Sequence, residues 1–66
     1  MLISFYIAET IDHAVQVQNR VKGEILEANE LSKIRYKSGH YYLDIEVPAT
    51  RASELCAELV REGYLD

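Results

Sequence analysis

RYKSGHYYLDIEV, residues 35–47, is the stretch whose reading decides the fold. A two-residue Ser38-Gly39 turn pairs Lys37 with His40, Tyr36 with Tyr41, Arg35 with Tyr42, Ile34 with Leu43 and Lys33 with Asp44. This register sorts the side chains onto two faces. Ile34, Tyr36, Tyr41, Leu43, Ile45 and Val47 share the apolar face. Lys33, Arg35, Lys37, His40, Tyr42, Asp44 and Glu46 share the other. A slip of one residue would mix the two sets, so the pattern supports the pairing. Lys33 and Asp44 form an opposite-charge cross-strand pair, and Arg35 is placed to lie over Tyr42.

Working outward, residues 2–8, LISFYIA, form an apolar run that reads as a strand. Ile3, Phe5 and Ile7 take its core face; Ser4, Tyr6 and Ala8 take the other. Thr10 is a suitable N-cap for a helix over residues 11–22, with Ile11, Ala14, Val15 and Val21 on one face and Gln18 as its polar exception. Gly23 stands where a helix-ending glycine belongs. Residues 24–31, EILEANEL, are good helix formers, but the glycine interrupts them, and we read them as the start of a long strand. After the hairpin, Pro48 ends the strand. Thr50 is then expected to cap a helix over residues 51–62, with Ala52, Leu55, Cys56, Leu59 and Val60 inward and Arg51, Glu54, Glu58, Arg61 and Glu62 outward. Gly63 ends this helix, and Tyr64 supplies the apolar contact of a Schellman end.

The order is β-α-β-β-α. A right-handed crossover with the third strand between the first two gives an α+β, ferredoxin-like two-layer sandwich: a three-stranded antiparallel sheet with two helices on one face. Two features stay uncovered, the second sheet face and one edge of the first strand.

The second half, SGHYYLDIEVPATRASELCAELVREGYL, resembles the C-terminal half of ACT-type and related ferredoxin-like regulatory domains. The likeness lies in a glycine-containing hairpin, an apolar strand and a helix ending near REGY. It implies dimerisation and the binding of small ligands such as amino acids at interfaces. YIAETID stands where a glycine-rich ligand turn would follow the first strand, so no binding residue is carried over.

At 66 residues the chain is expected to be a single domain over 1–66. Such a chain buries only roughly 60% of its unfolded surface, which leaves about 3–5 kcal/mol from one core. Disulfides, metals and self-association are the usual supplements. Cys56 is the only cysteine, which excludes an internal disulfide and fits a reducing, cytoplasmic setting. His13, His40 and Cys56 have no ligand spacing, so no metal and no cofactor is expected. No apolar run reaches a membrane span. MLISFYIAET lacks the basic start of a signal peptide. A net charge of −4 disfavours general nucleic-acid binding.

No nucleophile–base pair or metal set is legible, so an enzyme is not expected. His40 reads as a solvent-facing turn histidine, His13 as a surface residue and Cys56 as a buried thiol. The open sheet face is the surface left for work: Tyr6, Lys33, Arg35, Lys37, His40 and Tyr42. Opposite it in character is the acidic face of Glu54, Glu58 and Glu62, a charge split that suits docking. We expect a non-enzymatic interaction module, homodimeric, binding another protein and modulating it, in the size range of phage and mobile-element regulators. Two alternatives are an ACT-like sensor of a small ligand and a single-stranded RNA binder that stacks bases on the open face.

Overall fold

The computed structural model describes residues 1–66. Strand β1 spans Leu2–Ala8, helix α1 Ile11–Glu24, β2 Ser32–Lys37, β3 His40–Glu46 and helix α2 Ala49–Arg61. The three strands form one antiparallel sheet in the order β1-β3-β2, with β3 central. This is the expected ferredoxin-like sandwich with both helices on one face.

The hairpin register is the expected one at every pair from Lys33–Asp44 to Lys37–His40. The turn has two residues, and both carry positive φ, Ser38 at 52° and Gly39 at 83°. That is the type I′ geometry, whose twist matches the strands it joins.

Leu43, Ile45, Leu55, Leu59 and Val21 are the largest fully buried side chains. They come from the central strand and from both helices, so the core sits over β3. Gly63, at φ 86°, closes α2 as expected. The Tyr64 amide donates to the Leu59 carbonyl at 2.8 Å and the Gly63 amide to that of Val60 at 3.1 Å, the paired bonds of a Schellman end. Tyr64 packs against the core beside them.

Several local expectations are corrected. Helix α1 runs through Gly23, which is helical, and ends at Glu24. Its buried face is Ala14, Val17 and Val21, continued by Ile25. Ile11 and Val15 are exposed instead. Gln18 explains the rotation: its amide donates to the carbonyl and hydroxyl of Ser32, each at 3.3 Å, which turns that flank toward β2.

Residues 24–31 do not form a strand. Ile25 drops into the core, and the chain then turns, with the Glu30 amide donating to the Glu27 carbonyl at 2.9 Å. A side chain from another element holds this loop. Arg51, expected to face outward, is largely buried and donates to Glu30 at 2.8 and 3.1 Å, to Glu54 at 2.9 Å, to Glu58 at 3.3 and 3.5 Å and to the Ile25 carbonyl at 3.4 Å.

Helix α2 starts two residues before its expected first residue, Arg51. Pro48 is its N-cap residue, extended at φ −61° and ψ 150°, and its carbonyl accepts from the amides of Arg51 and Ala52. Thr50 therefore lies inside the first turn and caps nothing. On β1, the register shifts between Tyr6 and Ala8. This bulge turns Ala8 inward beside Ile7, and both are buried. Tyr36 is 61% exposed on its strand, because the helices do not reach that corner of the sheet. It leans on Tyr41 with ring centroids 4.8 Å apart. Val60 is also exposed on α2, and Cys56 only partly covered.

Candidate docking surface

Period-two alternation on three antiparallel strands builds the helix-free face row by row. Tyr6, Tyr42 and Arg35 form one row across β1, β3 and β2. Ser4, Asp44 and Lys33 form the next. His40 and Lys37 continue the surface beside the turn. All six residues singled out in the sequence thus lie on this face.

Four of them touch. The Tyr6 ring meets His40 edge-on at 5.5 Å and Tyr42 edge-on at 6.1 Å. The Arg35 guanidinium lies 4.9 Å from the centre of the Tyr42 ring, as its pairing required. Tyr6 is 48% exposed, so the aromatic cluster meets solvent at the β1 side. Lys33 and Lys37 flank the cluster along β2 without joining it.

The expected Lys33–Asp44 ion pair gives way to a diagonal one. Arg35 donates to both Asp44 oxygens, at 2.9 and 3.3 Å. The planar fork of Arg suits this geometry better than a flexible ammonium does. Ser4 adds a hydroxyl donor to the same carboxylate. The Arg35 and Ser4 bonds hold the Asp44 carboxyl below its ordinary range against the opposing effect of partial burial. In return Asp44 raises Arg35, whose cation is held charged beneath the tyrosine. Local desolvation, with Glu9 and Tyr42 nearby, pushes the Tyr6 phenol upward.

The face is therefore fixed in shape by ion pairing and ring packing. It offers flat aromatic area and a cation row along β2. His13 at the start of α1 and Cys56 on α2 belong to the helix layer, and His13 borders the Tyr6–Ile7 end of β1. No helix of the chain is long and apolar enough to cross a membrane.

The sequence also hid apolar surface beyond this face. Tyr36, Ile11 and Val15, assigned to the core, are exposed around the β2 side of the fold. The polar Gln18 on the supposed apolar stripe of α1 was the available signal. Comparison of the chain with family models, curated proteins and solved structures gave no match.

Proposed function

We propose that the protein is a small non-enzymatic interaction module of the cytoplasm, homodimeric, which docks on a larger protein partner and modulates it. The observation that carries this reading is the preformed cluster of Tyr6, His40, Tyr42 and Arg35 on a sheet face that no helix covers. Aromatic and arginine side chains held rigid by their neighbours lose little freedom on binding and are the usual anchors of protein interfaces. Lys33 and Lys37 beside them favour a partner surface of acidic character. The exposed Tyr36 carries the surface around the β2 edge.

Affinity capture from the native host tests this. Wild-type protein retains a defined partner. Arg35→Glu, which reverses the charge beneath Tyr42, loses at least about tenfold in retention, the scale of a truncated anchor. Equal retention by both would contradict the reading.

The same cluster favours a second reading, because aromatic rings beside cations on an open sheet also stack unpaired bases. Salt-dependent binding of a single-stranded RNA, lost in Arg35→Glu, distinguishes it. Absence of such binding leaves the protein partner as the ligand.

A further inference from the structure

The two edges of the sheet differ sharply. Edge strand β2, SKIRYK, carries three cations, the usual protection of an exposed edge against strand pairing. Edge strand β1, LISFYIA, carries no charge and no proline. An uncharged edge of this length presents free backbone donors and acceptors to any second strand.

Which groups are free follows from the register. Met1 and Val47 exchange both backbone bonds, at 2.7 and 3.0 Å. Bonded and non-bonded pairs alternate along an antiparallel ladder, so Ile3 and Phe5 also bond inward to β3. The amides and carbonyls of Leu2, Ser4 and Tyr6 therefore point away from the sheet.

One flank of the helix layer above this edge is also uncharged, while His13, Arg20 and Glu62 gather at its Tyr6–Ile7 end. On α1, Gln18 faces β2, while Arg20 and Glu24 reach Tyr64 beyond α2 on the opposite side. Helix α2 thus lies on the β1 side. Arg51 turns one flank of α2 toward α1 and the loop after it. The far flank, over the β1 edge, is Ala49, Ser53, Cys56 and Val60.

From these features we infer that β1 pairs antiparallel with β1 of a second copy, giving a continuous six-stranded sheet, three strands from each chain. A two-fold axis through Ser4 brings Ser4 opposite the partner's Ser4 and Leu2 opposite the partner's Tyr6. All three outward residues of each strand then form bonded pairs. The side chains agree: Leu2, 58% exposed, meets the phenol ring across the strands, an aliphatic–aromatic pair. The strand is complementary to itself in this register, and that selects a second copy over a foreign strand. The uncharged flanks of α2 face each other above it. This rests on the homodimer in the proposed function and names its interface; of the aromatic cluster only Tyr6 lies at the seam, and His40, Tyr42 and Arg35 stay free for another protein.

Light scattering on the eluting protein tests the pairing, with folding monitored by circular dichroism. The wild-type chain is expected at twice its monomer mass. Leu2→Lys puts a cation on each side of the axis and raises the dissociation constant by about tenfold or more. Ser4→Pro removes an outward amide and no backbone bond within the chain, at the cost of the Ser4 hydroxyl's bond to Asp44, and it too is expected to be monomeric. In a Cys56→Ser background, Ser4→Cys is expected to form an interchain disulfide on oxidation, and Lys33→Cys on the other edge is not. A monomeric wild type, or a dimer unchanged by Leu2→Lys and crosslinked no better at residue 4 than at 33, would overturn the inference. If Ser4→Pro fails to fold, Leu2→Lys and the crosslink decide. Partner retention through Arg35 is a separate measurement, so either claim can fail alone.

Discussion

Ser38 shows how much a single residue contributes here. It is the only residue other than glycine with positive φ, a conformation that asparagine tolerates better. Ser38→Asn is therefore expected to raise stability by about 0.5 kcal/mol, read as a higher midpoint in urea with an unchanged slope. The same residue scale explains His40, the most conspicuous candidate for chemistry in the sequence. Its ring packs edge-on against Tyr6. It is part of the aromatic surface of the open sheet face.

Among the elements, the loop over residues 25–31 depends on one side chain. Arg51 ties it to α2 through Glu30, while Glu54 and Glu58 complete the arginine's partners. Arg51→Ala is expected to cost about 2 kcal/mol, since charge-assisted bonds at a mostly buried site are lost together. The bond from Arg51 holds the Glu30 carboxyl below its ordinary range. A carboxylate depressed in the folded state stabilises fully above its unfolded range and loses that effect as pH falls through the folded value. Stability should thus decline below roughly pH 5, and Glu30→Gln should flatten that decline. Chemical denaturation across pH checks both. This tether also shows where sequence reasoning stops. The hairpin was legible because an alternating pattern and a tight turn fix register locally. Helix α2 was legible because its apolar spacing and Gly63 agree. Residues 24–31 carry no such period; their path depends on Arg51, more than twenty residues along the chain, and on Ile25 entering a core made by other elements. The face of α1 was misread by the same cause, since Gln18 is satisfied by Ser32 across space. The Ala8 bulge likewise leaves no mark in the pattern of β1.

For the molecule as a whole, the exposed apolar side chains fall into two sets. Met1, Leu2, Tyr6 and Val60 surround the β1 edge, and Ile11, Val15, Leu31 and Tyr36 lie toward β2. In the proposed dimer the first set meets across the two-fold axis. The second stays accessible beside the cationic strand, with Tyr42 and Arg35 on the continuous sheet between. Self-association and partner docking then use adjoining parts of one sheet, with Tyr6 at their border. The most direct measurement of the pairing is amide hydrogen exchange followed residue by residue at low and high protein concentration. The account predicts that the outward amides of Ser4 and Tyr6 become protected as concentration rises. The free-edge amides of Ile34 and Tyr36 on β2 should exchange rapidly at both. Rapid exchange of Ser4 and Tyr6 at every concentration would contradict it.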